Sequence, residues 1–443
     1  MVDYAIVKLW GETVGAVRWD ASQQLAFFEY ERAFISKGWD LSPLKMPISN
    51  GARIYSFPEL RKGKNDPTDT FKGLPALLSD SLPDKYGNQL INIWLAQQGR
   101  PENSMNPVEQ LCFIGTRGMG ALEFETALFK DGKKNSTLEM SSLVDTARRM
   151  LNQRELFQTN LPNNEEKAVA EILKIGTSAG GARPKALIAY NPQNGVVKSG
   201  QGNVPDGFEH WLIKLDGVSN AQFGESTGWG SVEYAYYLMA KTCGIEMTEC
   251  RMLEENGRAH FMTRRFDREG NAKHHIQTLC AIQHYNFNEM FAYSYEQVFQ
   301  TMRLLRLTYH EAEQLFRRMV FNVLATNCDD HTKNFSFRLK KGERWQLAPA
   351  YDLCFAYDPT NSWVSQQSLS INGKRSSILK EDFMIIAKAN NIKKGEEILE
   401  EINQTVCHWE DFAKQAKVDE KHVKHIQSNL HTIEGKQNGP SIK

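Results

Sequence analysis

The spacing of apolar residues divides the chain into a strand-rich first part and a helix-rich last part. Short apolar runs separated by a glycine turn, Ala5–Trp10 and Val14–Trp19, predict a β-hairpin, and Gln24–Tyr30 predicts a further strand. From Tyr309 to Leu324 the apolar residues recur every three or four positions, the spacing that places them on one face of an α-helix. The pattern therefore predicts an α+β protein.

The chain between these parts has a mixed pattern. Strands are predicted over Ala186–Tyr190 and His210–Leu215, and a helix is predicted over Val232–Ala240. The polar stretch Asp131–Asn164 contains a capping-box sequence, Ser136–Glu139, which predicts the start of another helix. Three regions are expected: a β-rich region 1–130, an α/β region with the phosphate loop 131–268, and a helical region 269–443.

Composition and charge narrow the class of protein. With 53 basic and 53 acidic residues the chain has no net charge, so its overall charge favours no polyanionic partner. The seven cysteines include no C-x-x-C pair, which favours free thiols over a disulfide framework. The first ten residues lack a signal-peptide pattern, and no run approaches the roughly 18 apolar residues of a membrane span. We expect a soluble, cytoplasmic protein.

Candidate chemistry follows the amphipathic helix. Asp329 and Asn334 stand five positions apart, and Asp352 follows a predicted hairpin formed by Phe335–Leu339 and Trp345–Leu347. Protein kinases space a catalytic Asp and a metal-binding Asn in this way, with a second metal-binding Asp downstream. A carboxylate can orient the acceptor hydroxyl, while an amide and a carboxylate hold Mg²⁺ against phosphates. The alternative is a solvated loop whose side chains bond to nearby backbone.

A second candidate site precedes the strand Ala186–Tyr190. A loop that ends at Lys185 contains three glycines, Gly176, Gly180 and Gly181. The backbone N–H groups of such a loop can surround phosphate oxygens, although a plain glycine turn has the same composition. Lys214 lies in an otherwise apolar strand, where burial favours an anionic partner; the alternative is an outward-facing lysine. Glu233, at the start of the next helix, is a candidate partner for Lys214.

Other patterns are interpreted structurally. His274-His275 and the pair His422 and His425 lack Cys or carboxylate partners at metal-site spacing, so surface helices are predicted at both places. No G-x-S-x-G sequence suggests a hydrolase nucleophile. The apolar strand that leads to Arg264–Phe266 is a candidate hinge whose backbone faces adenine.

Together these pieces resemble the HipA family of bacterial serine/threonine kinases, the toxins of HipA/HipB toxin–antitoxin pairs. The matching pieces keep the family's order and span most of the chain: Phe71–Pro75, Asp80–Asp84, Ile114–Ala121, Ser178–Lys185, Ile213–Leu215, Arg265–Arg268, Asp329–Asn334 and Tyr351–Asp352. The resemblance implies a two-lobed HipA-like kinase fold, with a mixed α/β N-terminal lobe and a mostly helical C-terminal lobe.

The resemblance also implies a role for each matching residue. Asp329 matches the catalytic base, and Asn334 and Asp352 match the Mg²⁺ ligands. Ser178 matches a serine whose autophosphorylation expels the phosphate loop and switches the kinase off. Contacts with ATP are implied for the phosphate loop, the phosphate-binding lysine, the hinge and the metal side of the site: Gly180, Gly181, Ala182, Arg183, Lys185, Lys214, Arg264, Phe266, His331, Asn334, Tyr351 and Asp352.

Members of the family phosphorylate aminoacyl-tRNA synthetases and are silenced by a helix-turn-helix antitoxin that binds operator DNA. The resemblance therefore implies ATP and Mg²⁺ as cofactors, a protein substrate such as an aminoacyl-tRNA synthetase, and a HipB-like partner that mediates any contact with DNA. Two departures bear on this. Arg183-Pro184 stands where well-studied members have Gln-Glu, which affects the autophosphorylation switch, and Arg264 stands where some carry an acidic residue, which affects the hinge.

Two alternative functions stay open. One is a catalytically silent HipA relative that acts as a DNA-associated regulator through an antitoxin partner. The intact set of candidate catalytic residues argues against it. The other is a metal-dependent phosphohydrolase that uses Asp329, Asp330 and His331, which leaves the glycine loop without a role.

Overall fold

The structure is a computed structural model that describes residues 2–62, 69–126, 183–217 and 227–433, together with Ala147 and Gly176. The chain divides into two compact units, and it leaves unit 1 and returns to it twice. Unit 1 comprises Met1–Gly230, Thr248–Glu289 and Phe335–Ala348, and unit 2 comprises Ser231–Met247, Met290–Asn334 and Pro349–Lys443. The predicted three-region division stays a prediction, and the capping box at 136–139 lies outside the described residues.

The first sheet of unit 1 is antiparallel and has the strand order β4-β3-β2-β1-β5. Its strands are β1 (Tyr4–Leu9), β2 (Glu12–Asp20), β3 (Leu25–Tyr30), β4 (Ile54–Tyr55) and β5 (Leu122–Glu125). Val7, Val17 and Phe28 are fully buried on these strands, which explains the apolar runs. The predicted hairpin and third strand are confirmed.

Among the described residues, four α-helices precede β5 in the chain: α1 (Arg32–Ile35), α2 (Ala76–Ser79), α3 (Lys85–Gln97) and α4 (Pro107–Ile114). Local capping explains where the two longer ones begin. The carboxylate of Asp84 accepts a hydrogen bond from the backbone N–H of Gly87 (2.9 Å). The side chain of Asn106 accepts one from the N–H of Glu109 (2.8 Å). These bonds satisfy N–H groups that have no partner inside the helix.

The second sheet of unit 1 contains the predicted strands near Lys185 and Lys214. Its strands are β6 (Lys185–Tyr190), β7 (Val197–Ser199), β8 (Glu209–Lys214), β9 (Cys250–Glu255) and β10 (Arg258–Arg264), in the order β7-β6-β8-β10-β9. Ile188, Trp211 and Ile213 pack with Tyr86 and Leu90 of α3 in one buried cluster. Helix α3 therefore holds this sheet from one face.

The third sheet of unit 1 consists of β13 (His275–Thr278), β14 (Ser336–Leu339) and β15 (Trp345–Leu347). A two-stranded ribbon precedes it and a short helix follows β13: β11 (Arg268–Glu269), β12 (Ala272–Lys273) and α6 (Leu279–Gln283). The predicted hairpin is confirmed as β14 and β15. The prediction of a surface helix at His274-His275 is wrong, because both side chains are buried and His275 lies on β13.

Unit 2 is mostly helical. Its helices are α5 (Trp229–Thr242, which begins at the end of unit 1), α7 (Tyr295–Leu304), α8 (Tyr309–Leu324), α9 (Lys380–Ala389), α10 (Gly395–Cys407), α11 (Trp409–Gln415) and α12 (Glu420–Gln427). The predicted helices at Val232 and Tyr309 are confirmed, and His422 and His425 lie on α12 as expected. No helix in the described ranges is long and apolar enough to cross a membrane.

Candidate active site

Helix α8 positions the first candidate site. Its face formed by Leu315, Phe316, Met319, Val320 and Leu324 is buried, and a capping box of Thr308 and Glu311 fixes its start. Burial of this face holds the helix in unit 2, and the helix delivers the chain to Asn327–Asn334, which we call the catalytic turn. The turn ends in a short 3₁₀ helix, Thr332–Asn334.

The side chains of the catalytic turn are arranged by short local contacts. The amide nitrogen of Asn334 donates a hydrogen bond to the carbonyl oxygen of Asp329 (2.7 Å). This bond fixes the plane of the amide, so Oδ1 is the Asn334 atom suited to bind a metal. The carboxylate of Asp329 is 46% exposed, and its Oδ1 lies 3.7 Å from His331 Nε2. Asp329 is therefore accessible to a substrate.

The segment that contains Asp352 lies alongside the catalytic turn. Asn327 and Ala356 form a parallel bridge, and the N–H of Cys328 donates to the carbonyl of Ala356 (2.9 Å). The hydroxyl of Tyr351 donates to the carbonyl of Lys333 (2.6 Å). The three residues predicted to form the catalytic and metal site are thus carried by neighbouring segments of one unit.

The donor set of these segments fits Mg²⁺. Asp352 has a φ of 53°, a backbone conformation that is uncommon for residues other than glycine and is found often at functional sites. Mg²⁺ prefers oxygen ligands and is commonly held by one or two carboxylates together with substrate phosphates. No group of three or more His, Cys, Asp or Glu side chains arranged for a metal occurs among the described residues. The amide oxygen of Asn334 and the carboxylate of Asp352 are oxygen donors of the kind that bind Mg²⁺ together with phosphates.

In unit 1, two lysines occupy opposite positions on paired strands. Lys185 of β6 is the register partner of Lys214 of β8, and Lys185 is only 3% exposed. The ammonium of Lys214 lies 5.8 Å from the centre of the Phe261 ring. Like charges at directly opposite positions repel. The structure thus places the two lysines predicted to contact phosphate opposite each other on paired strands.

The loop before Lys185 is only partly described. The carbonyl of Pro184 accepts a hydrogen bond from the N–H of Leu215 (2.9 Å), which fixes the end of the loop against β8. The guanidinium of Arg183 lies 5.6 Å from the centre of the Trp229 ring. Four residues with predicted roles lie outside the described ranges: Ser178, Gly180, Gly181 and Ala182.

The predicted hinge, Arg264–Phe266, begins at the last residue of β10 in unit 1. Arg264 is the register partner of Trp211, and its exposed guanidinium lies 3.3 Å from a carboxylate oxygen of Glu209. The N–H of Arg265 donates to the carbonyl of His210 (2.9 Å). The hinge backbone is therefore held against β8, while Phe266 is half-buried.

A buried ionic cluster behind the hinge was missed by the sequence analysis. The carboxylate of Asp267 accepts hydrogen bonds from Arg265 (2.9 and 2.7 Å), from Arg268 (2.7 Å) and from the N–H of Gly120 (2.7 Å). Burial alone would raise the pKa of Asp267, but the two guanidinium groups and the Gly120 N–H outweigh it and hold this pKa well below its usual range. The R-F-D-R sequence was the available signal.

Asp329 and Asp330 are neighbours with opposite environments. Asp330 is 1% exposed, and burial raises its pKa to about 7. In the hydrolase alternative, Asp330 acts together with Asp329 and His331. Because the carboxylate of Asp330 is bonded inside unit 2, it is not available to substrate together with Asp329, and this disfavours that alternative.

A D-x-x-x-x-N turn, a second acid on an adjoining segment and a lysine on a strand of a sheet are features of kinase-like phosphotransferases. Residues 5–125 match the HipA N-terminal domain, and residues 177–435 match the HipA-like C-terminal domain. The chain belongs to the HipA family. This membership confirms the resemblance inferred from the sequence.

Relatives agree with this assignment. Over 249 residues the chain is 26% identical to a Haemophilus influenzae protein named "Putative kinase", a match that covers 52% of this chain and 68% of that protein. The fold is similar to Shewanella oneidensis MR-1 HipA, solved in complex with HipB and its operator DNA, with a TM-score of 0.65 and 16% identity over 96% of this chain and 95% of that one. This similarity confirms the predicted α+β HipA-like fold.

A more distant similarity links the chain to the Helicobacter pylori proinflammatory kinase CtkA. It covers 51% of this chain and 89% of that one, with 12% identity and a TM-score of 0.33. A similarity this weak supports no argument about function. Family membership and the Haemophilus relative support a kinase-type function.

Proposed function

We propose that the protein is an ATP- and Mg²⁺-dependent serine/threonine protein kinase that acts as the toxin of a HipA/HipB-type pair. The observation that carries this proposal is the hydrogen bond from Asn334 to the carbonyl of Asp329, together with the bond from Tyr351 to Lys333. These bonds join the segments that carry a candidate base and two candidate metal ligands, in the order in which protein kinases carry theirs.

Each residue has a stated task in this proposal. Asp329 accepts a hydrogen bond from the substrate hydroxyl, orients it towards the γ-phosphate and takes up its proton. Asn334 Oδ1 and the Asp352 carboxylate would hold Mg²⁺, which would supply neutralisation of the phosphate charge. Lys185 and Lys214 contact the phosphates. The backbone of Arg264–Phe266 faces adenine. Catalysis then rests on positioning and charge neutralisation.

The direct test replaces Asp329 with Asn. We expect Asp329→Asn to keep ATP affinity within about threefold and to lower transfer of ³²P from labelled ATP to protein by at least about 10²-fold, because the base is lost while the metal ligands remain. Asp411→Asn, an exposed carboxylate on α11, is the matched control and retains full transfer. Undiminished transfer by Asp329→Asn contradicts the assignment of the base.

The same assay separates the two alternatives. A catalytically silent relative shows no transfer in the wild type, although it still binds a partner. A phosphohydrolase releases phosphate from model esters without ATP, and the internal hydrogen bonds of Asp330 argue against this reaction.

The proposed substrate is an aminoacyl-tRNA synthetase, and the proposed partner is a HipB-like helix-turn-helix protein. Support comes from family membership and from the Shewanella HipA, which was solved with HipB and operator DNA. Quantitative phosphoproteomics of cells that express the wild type or Asp329→Ala tests the substrate. Co-purification with a helix-turn-helix protein encoded by a neighbouring gene tests the partner, and its absence contradicts the paired arrangement.

We also propose that autophosphorylation of Ser178 switches the kinase off. This rests on the position of Ser178 in the family's loop. Mass spectrometry after incubation with ATP is expected to find phosphate on Ser178 in the wild type and none there in Asp329→Asn. Ser178→Ala is expected to retain transfer activity after prolonged incubation with ATP, whereas the wild type loses it.

A further inference from the structure

Asp330 is buried inside unit 2 and is bonded on several sides. Its Oδ2 accepts a hydrogen bond from the hydroxyl of Tyr295 (2.8 Å). Its Oδ1 accepts hydrogen bonds from the backbone N–H groups of Ser368 (2.7 Å) and Leu369 (3.3 Å). With its amide nitrogen directed inwards, Gln367 donates a further bond to Oδ2 (2.9 Å). These four hydrogen-bond donors are all neutral.

The network continues from Tyr295 to the start of the catalytic turn. Tyr295 is fully buried on α7, and its hydroxyl accepts a hydrogen bond from the amide nitrogen of Asn322 (2.9 Å). The side-chain oxygen of Asn322 accepts one from the amide nitrogen of Asn327 (3.0 Å). The polar chain therefore holds the turn at Asn327 and again at Asp330, on both sides of Asp329.

The other anchor of Asp330 is the segment Gln367–Ser370, which we call the anchor segment. The hydroxyl of Ser368 donates to the carbonyl of Cys328 (3.1 Å), so this segment also contacts the turn directly. The guanidinium of Arg375 donates to the carbonyl of Ser368 and to that of Tyr293 (2.9 Å). The N–H of Tyr295 donates to the carbonyl of Ser370 (3.0 Å). The anchor segment is therefore fixed to the beginning of α7.

Stability alone does not explain a carboxylate at this buried position. Burying an ionisable group among neutral donors is unfavourable compared with apolar packing, and an apolar residue of similar size fills such a space better. An acid with four acceptor sites can, however, hold two backbone N–H groups and a phenol in one geometry. The result is a rigid attachment one residue away from Asp329.

We propose that Asp330 is a positioning residue for phosphoryl transfer, which fixes the backbone of Asp329 by joining the catalytic turn to Tyr295 and to the anchor segment. The proposal rests on the proposed kinase function. Its consequence is that the rate of transfer depends on Asp330 even though its carboxylate does not touch the substrate. Misplacement of a reacting group by about 1 Å can lower a rate about 10²-fold.

The test compares Asp330→Asn, Tyr295→Phe and Asp382→Asn. Asp382 is the matched control, because it is 2% exposed in unit 2 and its carboxylate also accepts from side chains and backbone, namely Asn372, Lys374 and Leu379. Each variant is assayed for kcat, for KM and dissociation constant of Mg-ATP, and for its urea unfolding midpoint. All activities are measured at a temperature where each variant is folded.

We expect Asp330→Asn to lower kcat by at least about 10-fold and Tyr295→Phe to lower it several-fold, with Mg-ATP affinity changed less than about twofold in both. Asp382→Asn is expected to lower the unfolding midpoint while kcat stays within about twofold. If Asp330→Asn does not fold, the test uses Tyr295→Phe, which removes one oxygen atom. A several-fold lower kcat with Mg-ATP affinity changed less than about twofold then supports the proposal, and an unchanged kcat overturns it.

Two results overturn the proposal while leaving the kinase function intact. One is a wild type that transfers phosphate and an Asp330→Asn variant with the same kcat. The other is an Asp382→Asn variant that loses as much kcat as Asp330→Asn, since general destabilisation then explains both. A wild type with no transfer activity contradicts the proposed function itself and is recognised before any variant is compared.

Discussion

Asp267, a buried aspartate of unit 1, and Asp330, a buried aspartate of unit 2, are held in opposite electrostatic states. Asp267 of unit 1 is fully buried between two arginines, which keep its pKa well below the usual range although burial opposes this. Asp330 of unit 2 is equally buried among neutral donors, and burial raises its pKa to about 7. Equally buried carboxyl groups therefore have pKa values shifted in opposite directions, and the charge of the hydrogen-bond donors decides the direction.

The histidines extend the contrast. Burial is the main cause that lowers the pKa of His210 and of His275 to about 4 and that of His284 to about 3, and it also lowers the pKa of His260 and His274. All five belong to unit 1. Their neutral burial contributes stability that is present above about pH 6.5 and is lost as the pH falls towards 4. The raised pKa of Asp330 gives the reverse slope.

The largest expected effect comes from breaking the ionic cluster of unit 1. Asp267→Asn leaves the guanidinium groups of Arg265 and Arg268 buried without their carboxylate, and breaking such a pair costs about 3–5 kcal/mol of unfolding free energy. Urea unfolding measures it. Asp206→Asn, an exposed carboxylate of the same unit, is the control and changes stability little. A loss for Asp267→Asn no larger than that of the control contradicts the electrostatic account.

The second effect sharpens the contrast through pH. On lowering the pH from 7.5 to 5, unit 1 is expected to lose stability. The reason is that its histidines bind protons in the unfolded chain but stay neutral while they are buried in the folded one. Each such histidine contributes up to about 2 kcal/mol over this interval. His275→Gln is expected to make the loss smaller, as measured by unfolding midpoints at both pH values. An unchanged pH dependence means that His275 is not buried in its neutral form.

The third expected effect is in unit 2, where stability changes with pH in the opposite direction. Asp330 contributes stability below about pH 4 that is lost as the pH rises to about 7, because the folded state holds its proton longer than the unfolded one. The stability of wild type relative to Asp330→Asn is therefore expected to fall by about 2–3 kcal/mol between pH 5 and 7.5. A difference that rises over this interval means that the folded state favours the charged carboxylate.

The spacing of apolar residues was sufficient to predict the helices and strands that bury residues at regular intervals along a single segment. The apolar face of α8 and the strands β6 and β8 follow directly from spacing, and the order of motifs was enough to infer the HipA-like fold. The roles of Asp329, Asn334 and Asp352 stay predictions, although the structure places them on adjoining segments.

Features that depend on residues far apart in the chain could not be predicted from the sequence. The sequence His274-His275 looks polar, and it becomes a buried strand only because β14, far along the chain, pairs with it and because the Leu41 carbonyl meets His275 Nε2 (3.2 Å). In Asp329-Asp330 nothing local shows which carboxylate faces inward, since Tyr295 and Ser368 decide it.

The interleaving of the two units has a consequence for synthesis on the ribosome. The second sheet is incomplete until β9 and β10 emerge, and the third until β14 and β15 emerge, by which time the catalytic turn has already been made. Asp352 follows the last strand of unit 1. The candidate metal site can therefore be completed only after every strand of unit 1 has been translated, so the order of translation itself keeps a nascent chain from acquiring its metal ligands early.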